Sequence, residues 1–154
     1  MRFAAISDTH DNLVAVRELV ETLRREKLDF IVHAGDVISP FTLKEFESLG
    51  LKMYIAFGNN DGERKILTQI AEKNDWEIGD IVDFSHGIVY HGTDRRILEI
   101  LKKTGALIIT GHTHDPKIIR EKATILNPGE VCGYLTGKRT FAIVEDGGIN
   151  LIEL

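Results

Sequence analysis

Five short polar clusters, each placed after an apolar run, contain the side chains of this sequence that could bind metal ions. Carboxylates bind divalent metals through oxygen, imidazoles through nitrogen, and the amide of asparagine through its oxygen. The seven candidates are two Asp, one Asn and four His, namely Asp8, Asp36, Asn59, His10, His91, His112 and His114. One first-row ion has only about four to six ligand positions, so this set predicts two adjacent ions and a hydrolytic reaction.

The elements that would position these ligands alternate between strands and helices along most of the chain. Apolar, β-rich runs predict strands at 3–7, 29–33, 53–57, 80–84, 87–90, 106–110, 117–120, 124–126, 141–144 and 149–152. Helical spacing and capping residues predict helices at about 13–23, 40–49, 62–72 and 94–103. This order predicts a layered α/β sandwich, with two mixed β-sheets packed face to face and helices on the outside. All five clusters then follow predicted strands, which is where open α/β sheets gather functional groups.

Composition limits the class of protein to which this chain can belong. With 154 residues, 43% of them apolar, the chain is expected to form one domain over 1–154. The single cysteine, Cys132, cannot form an intramolecular disulfide, and no secretory leader pattern is present, so a cytoplasmic location is expected. No apolar run approaches the roughly 20 residues of a membrane helix, and the net charge of −5 argues against broad contact with nucleic acid.

The ordered clusters resemble the signature of the calcineurin-like metallophosphoesterase superfamily. The resemblance rests on five motifs in this order: Asp8-x-His10, Gly35-Asp36, Gly58-Asn59, His91-Gly92 and Gly111-His112-x-His114. The small size, the opening at 7–12 (Ser-Asp-Thr-His-Asp-Asn) and the segment 127–130 (Asn-Pro-Gly-Glu) are most similar to the minimal branch, the single-domain bacterial and archaeal phosphodiesterases. The resemblance implies that one ion is bound by Asp8, His10 and His114, the second by Asn59, His91 and His112, and both by Asp36.

The resemblance also implies the chemistry of the reaction. Each chain would bind two divalent transition-metal ions, with manganese expected first and nickel, iron or zinc also suited to a set with four imidazoles. A hydroxide bridging such ions attacks phosphorus at neutral pH, so the expected substrate is a small or nucleotide-like phosphodiester. Arg64 and Arg95 follow two of the motifs and are candidate contacts to its phosphate, with a solvated helix face as the alternative for each.

Two positions depart from the superfamily pattern. Its members commonly have a histidine after the Gly-Asn pair, taken to contact the substrate or protonate the leaving group, whereas this chain has Asn60. Because an amide does no acid–base chemistry near neutral pH, Asn60 is expected at most to donate a hydrogen bond to phosphate. Diesters with good leaving groups are therefore the expected substrates. The second departure is Thr93, where relatives often have another histidine.

Two other functions compete with the phosphodiesterase. A nuclease would use the same two-metal chemistry, but the acidic composition argues against it. A non-catalytic scaffold is the third hypothesis, because the eukaryotic retromer subunit with this fold serves as an interaction surface. Retention of all seven ligand side chains argues against that outcome. Formation of a homodimer is left open.

Several residues near the motifs have ordinary structural explanations. The pair 11–12 (Asp-Asn) is expected to cap a helix, and His33 is expected to pack at a strand end. Cys132 is expected to be an inert, buried thiol. Trp76 and Tyr134 are expected to pack in the core or at an interface rather than to stack on a substrate.

Overall fold

The computed structural model describes residues 1–154, which form eleven β-strands and four α-helices. The strands are β1 Arg2–Ile6, β2 Phe30–His33, β3 Lys52–Ala56, β4 Glu77–Gly79, β5 Ile81–Phe84, β6 Gly87–Tyr90, β7 Leu107–Ile109, β8 Lys117–Arg120, β9 Thr124–Asn127, β10 Thr140–Glu145 and β11 Gly148–Glu153. The helices are α1 Leu13–Arg24, α2 Pro40–Glu45, α3 Arg64–Lys73 and α4 Arg95–Lys102. None of the four has both the length and the apolar composition that crossing a membrane requires.

The strands form two mixed sheets, as the sequence predicts. The six-stranded sheet has the order β11-β10-β1-β2-β3-β4, in which β1 to β4 run parallel and β10 runs antiparallel to β1. The five-stranded sheet has the order β5-β6-β7-β9-β8, in which β6, β7 and β9 run parallel. The predicted α/β sandwich is therefore confirmed.

Strand β1 shows how the layers pack against each other. Successive side chains of a strand point to opposite faces, and β1 is buried on both faces. Ala4 and Ile6 belong to the core between the six-stranded sheet and helices α1 to α3. Phe3 and Ala5 belong to a second core, which the six-stranded sheet shares with the five-stranded sheet. The ring of Phe3 meets that of Phe84 on β5 edge-on, with centroids 5.6 Å apart, so the two sheets pack face to face.

Two local features differ from the predicted pattern. Strand β4 was not predicted, because its three residues are too few to show alternation and they form one edge of the sheet. The predicted helix at 40–49 is divided, since α2 ends at Glu45 and Phe46–Leu49 continue as a 3-10 helix. Gly50 ends this segment with a φ of 64°, a left-handed conformation that glycine adopts without strain.

The carboxyl ends of the parallel strands of both sheets meet at one edge of the sandwich. Backbone hydrogen bonds join the loops there, from Asp8 N to Gly35 O at 3.0 Å and from Gly111 N to His91 O at 3.0 Å. The loop after β9 joins them, because Val131 N donates to the carbonyl of the residue after β1, at 3.0 Å. These bonds fix the loops relative to one another, so the side chains that they carry are held at defined positions.

Candidate metal centre

The structure brings all seven predicted ligand side chains together at this edge. They follow β1, β2 and β3 of the six-stranded sheet and β6 and β7 of the five-stranded sheet. Polar atoms of neighbouring side chains lie 2.9 to 3.6 Å apart along one chain of contacts through His114, Asp8, His10, Asp36, His91, Asn59 and His112. The predicted site residues thus form a single cluster.

Asp36 lies at the middle of this chain of contacts. Its Oδ2 atom is 3.3 Å from Nε2 of His10 and 3.4 Å from Nε2 of His91. Asn60 donates to both carboxylate oxygens, through its backbone N to Oδ1 and through its side-chain amide to Oδ2, each at 2.9 Å. Asp36 therefore contacts candidate ligands on both sides of the site.

On one side of Asp36 lie Asp8, His10 and His114, which we call the buried side. Oδ1 of Asp8 is 3.4 Å from Nε2 of His114 and 3.6 Å from Nε2 of His10. Both Asp8 Oδ1 and His10 Nε2 are buried and have no hydrogen-bond partner. Because buried polar atoms are nearly always paired, these two atoms fit a cation that would contact both. The donor set of one carboxylate and two imidazoles suits a transition-metal ion.

On the other side of Asp36 lie Asn59, His91 and His112. The amide oxygen of Asn59 is 3.1 Å from Nε2 of His91 and 2.9 Å from Nδ1 of His112. His91 is fully buried, whereas Asn59 and His112 are exposed, so we call the pair Asn59 and His112 the exposed side. One amide oxygen and two ring nitrogens converge here, which again suits a divalent metal.

Buried acceptors fix the protonation pattern of two imidazoles. Nδ1–H of His91 donates to the backbone oxygen of Ala34 at 2.7 Å, and Nδ1–H of His114 donates to the carboxylate of Glu130. A carbonyl and a carboxylate can only accept, so the proton lies on Nδ1 in each ring. The Nε2 atoms of both rings face the carboxylates of the site and remain available to a metal.

The cluster has a negative potential that favours a cation. Burial opposes ionisation of Asp36, but the adjacent His10 and His91 outweigh that effect and hold the pKa of this carboxyl well below its usual range. The nearby carboxylates of Asp36 and then Asp8 outweigh burial and raise the pKa of His10 to about 9. The environment therefore stabilises positive charge beside both carboxylates.

The backbone of the site is strained at the predicted ligand positions. Five of the seven adopt the left-handed conformation although none of them is glycine: Asp8 (φ 52°), His10 (42°), Asp36 (57°), His112 (67°) and His114 (61°). Such a conformation costs on the order of 1–3 kcal/mol for each residue and persists only where the surrounding structure enforces it. Strain concentrated in these loops is typical of a functional site.

Two glycines of the motifs allow the loops to approach each other closely. A β-carbon at Gly58 would clash with Oδ1 and the backbone N of Asp36, and one at Gly111 would clash with Oγ of Ser7. The Ser7 hydroxyl in turn donates to Oδ2 of Asp8 at 2.6 Å. Any larger residue at either glycine would displace a carboxylate of the site.

Comparison with known proteins agrees with this geometry. The sequence model of the calcineurin-like phosphoesterase superfamily domain matches residues 1–146. The chain belongs to this superfamily. Phosphodiesterase MJ0936 of Methanocaldococcus jannaschii is 37% identical over 155 positions, which cover 94% of this chain and 93% of that protein. The superfamily domain and this relative establish the chain as a hydrolase that acts on phosphoesters.

Two solved structures show how far the likeness extends. The structure of an archaeal phosphodiesterase superposes with a TM-score of 0.92 at 34% identity, with 100% of both chains covered. The Zn²⁺ complex of Vps29 from Entamoeba histolytica superposes with a TM-score of 0.68 at 17% identity, covering 100% of this chain and 98% of that one. The second likeness concerns the fold alone.

The positions at which this chain departs from the superfamily pattern lie at the exposed face of the site. Asn60 is exposed, and its amide donates to Asp36, so the side chain supports a carboxylate in this structure. Thr93 is exposed and lines a shallow cavity with Asn59 and Tyr90. A contact between Asn60 and phosphate stays a prediction.

The two candidate arginines have different surroundings. Arg64 lines the same cavity as Asn59, but its guanidinium donates to the backbone oxygen of Gly58 at 3.2 Å and to Asp80 at 2.9 Å. It therefore supports the loop that carries Asn59. Arg95 is exposed at the first position of α4. Contact of either residue with a substrate stays a prediction.

The sequence predicts only a packing role for His33 and does not predict the support that two other buried residues, Asp61 and Glu130, provide to the site. Asp61 accepts from the backbone N of Asp36 at 3.1 Å and of Gly58 at 2.6 Å, so one carboxylate ties together two ligand loops. His33 accepts from Gly35 N through Nδ1 at 3.1 Å and contacts Thr9 Oγ1 through Nε2 at 3.1 Å. Glu130 accepts from Nδ1–H of His114 and so supports a candidate ligand. Each of these three ionisable residues lies within three positions of a motif glycine, and this is the one feature of the sequence that could have indicated its role. The sequence alone does not distinguish such a residue from one at the surface.

The remaining local predictions have mixed outcomes. Asn12 caps α1 by accepting from Ala15 N at 3.2 Å, as predicted for the pair 11–12, while Asp11 instead accepts from hydroxyls at the start of α2. Burial raises the pKa of Cys132 to about 12, which agrees with an inert thiol. Trp76 is buried as predicted, but Tyr134 is not in the core, because it is 61% exposed with its ring centroid 6.4 Å from that of His10.

Proposed function

We propose that this chain is a phosphodiesterase that uses two divalent transition-metal ions to hydrolyse a small or activated phosphodiester. The observation that carries the proposal is the position of Asp36, whose Oδ2 lies 3.3 Å from Nε2 of His10 and 3.4 Å from Nε2 of His91. A carboxylate can contact two cations and also offset their charge, which an imidazole or an amide cannot do. Asp36 would hold both ions, with Asp8, His10 and His114 completing one site and Asn59, His91 and His112 the other.

The residues of the chain would bind the ions and prepare the site for them. When bound, a pair of divalent ions supplies a nucleophile from water at neutral pH and neutralises the charge that develops on the phosphoryl oxygens. Asp8 and Asp36 would offset the charge of the ions, while the acceptors of Nδ1–H in His91 and His114 fix the orientation of each ring, so that Nε2 faces the site. Four imidazoles favour manganese, nickel, iron or zinc over magnesium and calcium, and manganese is expected first.

The substrate is expected to approach from the exposed side and to have a good leaving group. Asn59, Asn60 and His112 are exposed, whereas Asp8 is fully buried, so only one face of the centre is open to a phosphodiester. The amide of Asn60 cannot protonate a leaving oxygen, and a positioned general acid typically contributes about 10²- to 10⁴-fold. The named activity of the relative from M. jannaschii supports a diester as the substrate.

Hydrolysis of a nitrophenyl phosphodiester tests this proposal. The protein would be stripped with a chelator and assayed after adding Mn²⁺, Ni²⁺, Fe²⁺ or Zn²⁺ singly, with Asp36→Asn as the control that retains the shape of the side chain. We expect turnover that requires metal in the natural protein and is lost in the control. Equal rates with and without Asp36 would refute the proposal. Faster cleavage of an oligonucleotide, with salt-dependent binding, would show a nuclease instead.

A further inference from the structure

Glu130 is a buried carboxylate beside the metal centre that contacts none of the substrate-facing residues. Its side chain is fully buried although it carries charge. Charged residues are almost never fully buried unless they are paired, so this carboxylate must be held by other groups.

Five donors surround the two oxygens of Glu130. Oε2 accepts from Nδ1–H of His114 and from the thiol of Cys132 at 3.2 Å. Oε1 accepts from the backbone N of Leu135 at 2.9 Å, the backbone N of Thr136 at 2.6 Å and the hydroxyl of Thr136 at 2.8 Å. A carboxylate has roughly four lone-pair sites, so the acceptor capacity of Glu130 is fully used. Glu130 is therefore a structural acceptor and has no lone pair left for an ion.

The two oxygens serve two different parts of the site. Oε2 fixes the ring of His114, whose Nε2 then lies 3.4 Å from Oδ1 of Asp8. Oε1 holds the backbone of the loop that carries Tyr134, whose ring lies beside His10. One carboxylate thus links a candidate ligand to the rim of the site.

We infer that Glu130 is a positioning residue of the metal centre, which keeps the proton of His114 on Nδ1 and so leaves Nε2 free to bind an ion. This inference rests on the proposed function for its metal-binding part. A histidine that binds metal through one nitrogen usually donates from the other to an acceptor, and loss of that acceptor typically weakens metal binding about 10- to 100-fold. The same carboxylate holds the loop from Leu135 to Thr136 in place.

The first test reads the His114 ring in protein kept free of metal by a chelator. Long-range ¹H–¹⁵N NMR distinguishes the two nitrogens of a neutral imidazole. We expect the natural protein to show Nδ1 protonated and Nε2 unprotonated for His114. A neutral ring with its proton on Nε2 rather than on Nδ1 would overturn the inference. This measurement needs no variant, so it is decisive even if substitutions at Glu130 prevent folding.

The second test measures Mn²⁺ binding by calorimetry in Glu130→Gln. The amide retains the size of the side chain, and its oxygen is expected to take the place of Oε1, where three donors converge. Its NH₂ group then faces His114 and cannot accept from it, so the ring is expected to shift its proton to Nε2. We expect Mn²⁺ affinity to fall about 10- to 100-fold. The matched control is Glu121→Gln, which changes an exposed glutamate and should leave affinity unchanged.

The outcomes separate this inference from the proposed function. Equal Mn²⁺ affinity in Glu130→Gln and the natural protein would overturn the role of Glu130. The natural protein could instead show the expected proton on Nδ1 of His114 but bind none of the four metal ions. That result would support the hydrogen bond from His114 to Glu130 and contradict the proposed two-metal function.

Discussion

The buried side and the exposed side of the candidate metal centre are held in place by different contacts. On the buried side, Asp8 is 0% exposed and His114 is 7% exposed. A serine hydroxyl and the backbone N of His112 donate to Asp8, and Glu130 holds His114. On the exposed side, the Asn59 side chain contacts the rings of His112 and His91, which are themselves candidate ligands.

Because of this difference, we expect two ions to bind to the site with unequal affinity. Ligands whose positions are fixed by packing and by surrounding hydrogen bonds lose little freedom when an ion binds. Ligands on the exposed side must first be ordered, and they also compete with water. We therefore expect the buried side to bind the first ion more tightly and the exposed side to accept the second ion together with the substrate.

The largest expected effect is a loss of stability at low pH, caused by the buried, neutral ring of His33. Burial lowers the pKa of His33 to about 4, from an ordinary value of 6.5. Between these values the unfolded chain binds a proton that the folded chain does not, so the free energy of unfolding falls as the pH falls from 6.5 to 4. The full loss is roughly 3 kcal/mol, because each pKa unit corresponds to about 1.4 kcal/mol.

Urea unfolding of metal-free protein at several pH values between 7.5 and about 4 measures this loss. His33→Gln removes the titrating ring, so its stability difference from the natural protein should shrink as the pH falls. His86→Gln changes a histidine in the exposed turn between β5 and β6 and should leave the pH dependence unaltered. Parallel curves for the natural protein and His33→Gln would show that His33 is not the titrating group.

The direct comparison of the two sides uses one histidine from each. We expect His114→Ala to weaken binding of the first Mn²⁺ ion by more than about 100-fold, since loss of a supporting group alone costs about 10- to 100-fold. We expect His112→Ala to weaken only the second ion, by about tenfold, because this ligand is exposed and less constrained. Two-site calorimetry measures both. A larger effect from His112→Ala would reverse the assignment of tight and weak sides.

The position of the site could be predicted from the sequence because the candidate ligands directly follow predicted strands. Asp8, Asp36 and Asn59 each follow an apolar run, and parallel strands bring the ends of such runs to one edge. Two ligands of one motif, such as His112 and His114, can also be recognised from their short spacing in the sequence. Strand order could not be read in this way, but the edge at which the loops meet does not depend on it.

The support of the site could not be predicted from the sequence. Glu130 meets His114 across 16 positions and Thr9 meets His33 across 24, and neither spacing corresponds to a helix or a hairpin. Such contacts form only when the strands and loops pack together, so they cannot be predicted from the spacing of residues along the sequence. His33 follows the periodicity of a core residue, and for that reason its hydrogen bonds to the motif loops went unrecognised.

A smaller effect is expected where the exposed side meets the leaving group. Asn60→His would place an ionisable ring where the superfamily pattern commonly has one, and we expect turnover of an alkyl phosphodiester, relative to an aryl one, to rise by about tenfold. The new ring also loses the bond from the Asn60 side chain to Asp36, which should slow both substrates alike and leave their ratio unaffected. Asn60→Ala loses the same bond without gaining an acid and should slow both substrates alike. An unchanged ratio in Asn60→His would mean that this position does not reach the leaving group.

The smallest expected effect tests whether the exposed ring of Tyr134, which lies next to the buried side, contacts the substrate. Tyr134 extends from the loop that Glu130 holds, and its exposed ring lies beside His10 at the rim of the site. Aromatic pairs contribute about 0.5–1.5 kcal/mol, so Tyr134→Ala should raise KM for an aryl diester roughly two- to tenfold. Because the aryl group is bound alike in the ground and transition states, kcat should change little, and Tyr134→Phe should match the natural protein. A fall in kcat with constant KM would instead mean that Tyr134 affects the candidate metal centre through His10 and does not contact the aryl group.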